Sequence, residues 1–236
     1  MNANTSFQKF GAAALLLCSS YTYHASAQST ITVRAGAGPS EVAINGSALY
    51  DLADPYIKPI TQYYAGLQYT KTLSDHVDLV TGVQYASRGF AAQEQLNVDV
   101  LGLDLPLGAR LITRFDYLEA PVMLRYHFTE QGVRPYIEAG ASAGYALQGK
   151  LTPQVHAIIE WNLPSIPLNL NHDIYNRFDL SAMAGAGVEI PLGSNSAFHI
   201  EAGYRHSLND MFQDQIIDIR IKSSGFTAGI GYTIRF

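Results

Sequence analysis

The chain has 236 residues, 47% of them hydrophobic and only 15% charged, with a formal net charge of -5. That acidic balance excludes a protein built to hold nucleic acid, and no segment supplies the uninterrupted apolar run of roughly 18 residues that a membrane-spanning helix needs. The 20 Gly and 15 Tyr suit many short strands with tight turns and aromatic ends, so a single all-β domain is expected.

The N-terminus reads as a secretion signal. Lys9 lies in a short polar stretch, an apolar core runs from Phe10 to Leu17, and small residues follow at Ala25, Ser26 and Ala27. Cleavage between Ala27 and Gln28 divides the chain into a signal peptide, 1–27, and a mature domain, 28–236. Cys18 leaves with the signal, so no disulfide framework exists. Lys9 is the only charged residue before Gln28, so its loss moves the formal charge from -5 to -6.

Alternating segments then recur in order: ITVRAGAG from Ile31, TQYYAGLQYTKTL from Thr61, VDLVTGVQYASRGF from Val77, FDYLEAPVMLRYHF from Phe115, PYIEAGASAGYAL from Pro135, FDLSAMAGAGVEI from Phe178, AFHIEAGYRHSL from Ala197, and a terminal strand from Ser223. Each approaches the roughly 9 to 11 residues that a tilted strand needs to cross a bilayer. The connections alternate in length. Ser74-Asp75, Thr129 to Arg134 and Leu192 to Ser196 are short, whereas Pro39 to Ile60, Ala91 to Arg114, Gln148 to Asn176 and Asn209 to Lys222 are long. Short turns on one side and long loops on the other predict an antiparallel up-and-down transmembrane β-barrel of about eight strands, of the small OmpA/OmpX-like size, with both termini in the periplasm.

Parity along the strands sorts the side chains. One face carries rows such as Tyr63, Leu67 and Tyr69, or Leu118, Val122, Leu124, Tyr126 and Phe128, with no charge among them; this is the expected lipid face. The opposite face collects Arg34, Asp78, Arg88, Glu119, Arg125, Glu138, Asp179, Glu189, Glu201, Arg205 and Arg235. An eight-stranded barrel is only wide enough to be filled by its own side chains, so these residues are expected to pair as a structural plug. The last strand ends on Tyr232, Ile234 and Phe236, aromatic and apolar residues suited to the membrane interface.

The run Tyr117-Leu118-Glu119, with Pro121 and Arg125, the Gly/Ala-rich strand ending at Glu189 and the closing GYTIRF together resemble the PorT-like outer-membrane β-barrel family of Bacteroidetes-type, Gram-negative bacteria. The resemblance spans essentially 28–236. It implies a monomeric barrel, exported by a cleaved signal, inserted by the barrel-assembly machinery through its C-terminal strand and surrounded by outer-membrane lipid. One branch of that family is linked to protein secretion, but fold alone does not settle function.

Other motifs carry less. Gly140-Ala141-Ser142-Ala143-Gly144 spells a nucleophile elbow but lies inside an alternating strand, without the turn and helix an elbow requires. The histidines show no zinc spacing, and Asp210, Asp214 and Asp218 lack the Gly-centred turn of a calcium loop. No catalytic residue, cofactor or metal ligand is therefore expected. The long segments Gln95 to Thr113 and Val155 to Asn171 are rich in Leu, Val and Ile and partly alternate, as strands continuing past the membrane would. They either lid the barrel or present an edge to an extracellular or secretion-system protein. Two further readings are an outer-leaflet barrel enzyme acting on lipid or peptide, with Glu94, His156, Asp179 and Ser207 converging near the loop bases, and a soluble lipocalin-like ligand-binding barrel, which would carry its large apolar residues inside.

Overall fold

Strict alternation places successive side chains on opposite faces of a strand. A sheet that is apolar on one face and charged on the other satisfies both faces by closing on itself, which also removes its edges. The computed structural model describes residues 29–45, 56–100, 103–156, 160–170, 175–211 and 220–235. The proposed cleavage site at Ala27 and Gln28, and the terminal Phe236, lie outside these described residues.

The strands are β1 (Ser29–Asn45), β2 (Ile57–Thr72), β3 (Val77–Val100), β4 (Leu103–His127), β5 (Arg134–His156), β6 (Glu160–Asn162), β7 (Ile166–Leu168), β8 (Phe178–Pro191), β9 (Ser196–Ser207) and β10 (Arg220–Arg235). All neighbours pair antiparallel. The sheet runs from β4 through β3, β2, β1, β10, β9 and β8 to β5, and β4 also pairs with β5, so eight strands form a closed barrel. The first and last strands meet from Thr30 opposite Arg235 to Asn45 opposite Arg220.

The three tight connections lie at one end. Two of them turn on glycines with positive φ, Gly132 at 71° and Gly193 at 109°, a conformation that costs glycine little because it has no Cβ. At the other end the strands continue well past the wall. The long connection from Ala91 to Arg114, whose alternation over Gln95 to Thr113 predicts strands continuing past the membrane, is mostly a β-hairpin in which β3 and β4 stay paired up to Val100 opposite Leu103. Its alternation persists there, so backbone pairing persists with it. The pairing of β5 with β8 ends at Tyr145 opposite Phe178, and beyond this β7 and β6 fold back onto the same edge of β5.

The outer face is apolar. Val33, Leu67, Val83, Val122, Leu124, Ile200 and Ile230 are exposed, and Tyr63, Tyr145, Phe178 and Phe226 ring the long-loop end while Tyr69, Tyr126, Phe128 and Tyr232 ring the other. This banding, an apolar belt between aromatic girdles, is what a bilayer's hydrocarbon and its two interfaces select. The buried interior is mostly polar, the reverse of a lipocalin-like barrel.

Candidate functional site

Ten of the eleven inward charges named from the sequence are buried, and Arg235 is half-buried. They gather in three clusters. Nearest the long-loop end, Arg88 on β3 pairs with Glu119 on β4 and lies 3.0 Å from Asp179 on β8. Arg205 on β9 pairs with Asp179 and lies 3.6 Å from Glu119. Gln84 donates to Glu119 at 2.8 Å, Ser181 and Ser207 donate to Asp179 at 2.6 and 2.7 Å, and the Arg88 guanidinium sits 3.6 Å from the centre of the Tyr117 ring.

In the middle cluster Arg34 on β1 lies 3.1 Å from Glu201 on β9, which also accepts the Tyr64 hydroxyl at 2.6 Å and the Tyr136 hydroxyl at 3.3 Å. Arg125 donates to Glu138 and lies 4.1 Å over the Tyr136 ring. Toward the short turns, Glu189 pairs with Arg235 and lies 3.5 Å from Arg134, while Asp78 meets His127 at 3.0 Å. Each cluster thus combines two guanidiniums with two carboxylates. That balance matters because a buried ion costs several kcal/mol unless a partner and further hydrogen bonds offset it.

Glycines make room for the ring systems. A Cβ on Gly36 would stand 2.6 Å from Tyr64 Cζ, and one on Gly187 would stand 2.5 Å from Tyr136 Cζ. Between the clusters remains a space of about 40 Å³, lined by residues including Arg34, Tyr64, Gln84, Glu119, Glu138 and Glu201. Arg34 Nε and Nη1 and Gln84 Oε1 have no hydrogen-bond partner in the protein. A space of that size suits a water or two bridging such groups, not a continuous pore.

Above the first cluster, the long-loop end is closed by an apolar group. Phe115, Tyr117 and Ala146 from the wall pack with Leu170 and Met211 from the connections, and Phe90, Leu168 and Tyr175 lie against them. Backbone bonds from Asn176 to Met211 at 3.0 Å and from Met211 to Ile221 at 2.9 Å tie the two connections together.

The four residues of the enzyme reading divide into two distant pairs, Asp179 with Ser207 in the wall and Glu94 with His156 toward the tip of the long strands. Ser207 donates to Asp179, whose carboxylate already serves Ser181 and two guanidiniums. Asp179 opposes Gly144 on β5, whereas His156 closes the far tip of the same strand, roughly 40 Å further along at about 3.3 Å per residue. Glu94 opposes Ala109 near that tip, and the side chains of Glu94 and His156 are not among those described. Ser142 of the elbow-like string lies in mid-strand, opposite Pro121 and Ser181. Of the three acidic loop residues only Asp210 is described.

Sequence reading missed the neutral and aromatic half of the lumen: Tyr64, Tyr136, Gln84, His127 and His199, together with the counter-charge Arg134. The signal was present for Tyr136, Gln84, His127 and His199, which share inward parity with residues already named on their strands, and for Tyr64 in its parity opposite to the outward Tyr63. Arg134 was hidden because it was read as turn.

The family model described as an outer membrane protein β-barrel domain matches residues 26–213. The chain belongs to this family of outer-membrane barrels. Among solved structures, the chain is similar to the outer membrane protein OprG of Pseudomonas aeruginosa, at 15% identity over 90% of this chain and 97% of that chain, with a TM-score of 0.44. It is also similar to the N-terminal β-barrel domain of OprF from the same organism, at 14% identity over 89% and 99% with a TM-score of 0.40, and to Ail, the attachment invasion locus protein of Yersinia pestis, at 18% identity over 88% and 98% with a TM-score of 0.35. The comparison with curated proteins gives no match.

Proposed function

We propose that this protein is a plugged outer-membrane barrel that acts through its extracellular strands and loops, as a structural or partner-binding component and not as a pore or a catalyst. The observation that carries the reading is the double closure of the lumen: three charge-balanced clusters fill it, and the Phe115, Tyr117, Ala146, Leu170 and Met211 group caps it. A wall so closed leaves the β3–β4 hairpin and the β5–β6–β7 unit, which reach beyond the membrane belt, as the accessible surface.

The narrower PorT-like likeness rests on Tyr117, Leu118, Glu119, Pro121 and Arg125. Tyr117, Glu119 and Arg125 are engaged within the lumen, so they support barrel stability, and any role in secretion falls to the loops. Replacing 95–113 and 155–171 by short Gly/Ser/Asn turns is expected to leave a folded, heat-resistant barrel in the membrane while abolishing copurification of its partner. Retention of that partner by the shortened barrel would move the contact to the lipid face or the periplasmic turns.

A further inference from the structure

The strand register aligns a lateral row on the outer face of four strands: Tyr63 opposes Ser87, Ser87 opposes Asp116, and Asp116 opposes Gln148. Two residues farther from the short turns, on the same face, Arg114 and Lys150 are direct partners across β4 and β5. Two like charges placed directly opposite on one face of a sheet repel. Asp116 offsets only one of them. Its Oδ2 lies 3.6 Å from Lys150 Nζ, and its two oxygens also accept Ser87 at 2.6 Å and Gln148 at 2.7 Å. Among the described residues Arg114 has only neutral acceptors, the Thr61 carbonyl at 3.1 Å and Ser87 Oγ at 3.4 Å, and its guanidinium lies 5.5 Å over the Tyr63 ring.

Among the described side chains the cluster thus sets one carboxylate, Asp116, against two cations, Arg114 and Lys150. The Lys150 side chain is 45% exposed.

The height of this cluster defines what it meets. It occupies the row of Tyr63 and the same-face row beyond it, next to the row of Tyr85, Leu118 and Tyr145, while Val83 and Val122 lie in the apolar belt on the other side of that row. Side chains at this level face lipid headgroups. A guanidinium presents a planar fork to phosphate oxygens and an ammonium a point charge, so an adjacent Arg and Lys suit one phosphate.

We infer that Arg114 and Lys150 bind the phosphate of an outer-leaflet lipid headgroup, on a floor of Asp116, Ser87 and Gln148 that holds the two cations in place. The inference rests on the proposed orientation, with the long-loop end in the outer leaflet. It is tested on the full-length barrel in detergent by native mass spectrometry, titrating phosphatidic acid, diacylglycerol and inorganic phosphate, with heat-dependent gel migration confirming that each variant is folded.

Phosphatidic acid is expected to be retained over diacylglycerol. Arg114→Gln and Lys150→Gln should each weaken that retention about fivefold and the double variant about thirtyfold, at the usual worth of a basic residue near an anionic surface. Lys71→Gln, at the short-turn end, should leave it unchanged. Undiminished retention by the folded double variant overturns the inference, as does an equal loss in Lys71→Gln. Displacement of the lipid by equimolar inorganic phosphate would mean a free-anion site and also overturns it. If the double variant does not fold, Lys150→Gln alone decides. Purified protein has no leaflets, so this result is independent of orientation, whose failure shows separately as surface exposure of Ser194.

Discussion

Arg125 and Glu138 face each other as direct partners across β4 and β5, and the Arg125 Nε and Nη2 both donate to one carboxylate oxygen, at 2.9 and 2.7 Å. Both side chains are buried, at 3% and 7% exposure, so neither charge has bulk water to fall back on. Glu138→Gln is expected to destabilise the barrel by about 3–5 kcal/mol, the usual cost of stripping a buried ion of its partner. Replacing both residues together by Met and Leu should cost much less, because no orphaned charge remains. Urea midpoints in lipid vesicles measure both, and equal losses in the two variants would show that water already serves this pair.

Glu119 holds the first cluster together, accepting from Gln84 and Arg88 with Arg205 at 3.6 Å. Glu119→Gln leaves two guanidiniums facing Asp179 alone. A loss on the order of 3–5 kcal/mol is expected, smaller if lumenal water reaches Arg205. An unchanged urea midpoint would mean that Glu119 contributes nothing net to the wall.

The apolar lid should loosen without the wall. Leu170→Ala or Met211→Ala removes a contact from the cap but none from the strand ladder. Faster cleavage of the loops by added protease is expected, with heat-dependent gel migration unaltered. Loss of the folded gel band would show instead that cap and wall melt as one unit.

The wild-type barrel in planar bilayers is expected to show no steady conductance, since about 40 Å³ of enclosed space between ion pairs cannot thread a hydrated ion. Regular unitary currents from the purified protein would refute the plug.

Tags inserted near Gly102 or Ala157 should be reachable on intact cells, and a tag at Ser194, in the turn between β8 and β9, should not. Labelling of Ser194 in intact cells would invert the orientation.

The wall was readable because its information is local. In the terminal strand Phe226, Ala228, Ile230, Tyr232 and Ile234 alternate with small or polar residues, and the exposure pattern of β10 follows that parity. What parity does not encode is distance along or across the lumen. Nothing in the sequence spacing pairs Arg88 with Asp179, or Arg34 with Glu201, because these contacts depend on strand stagger and barrel width. The outer cluster was missed for a related reason: Asp116 and Arg114 lie on the lipid-facing parity of β4 at and past the row of Tyr63, and only the register with Ser87, Gln148 and Lys150 shows that they belong together.

Each charge cluster draws its members from strands far apart in the chain: Arg88, Glu119, Asp179 and Arg205 come from β3, β4, β8 and β9, and Arg34 on β1 meets Glu201 on β9. A partly inserted sheet holding β1 to β5 would pair Arg88 with Glu119 and Arg125 with Glu138, but would leave Arg34 without Glu201 and Arg134 without Glu189. Neutrality arrives only with the last hairpins. Insertion of this barrel is accordingly biased toward a single late step, in which the seam between β1 and β10 seals at the moment the lumen discharges its excess charge.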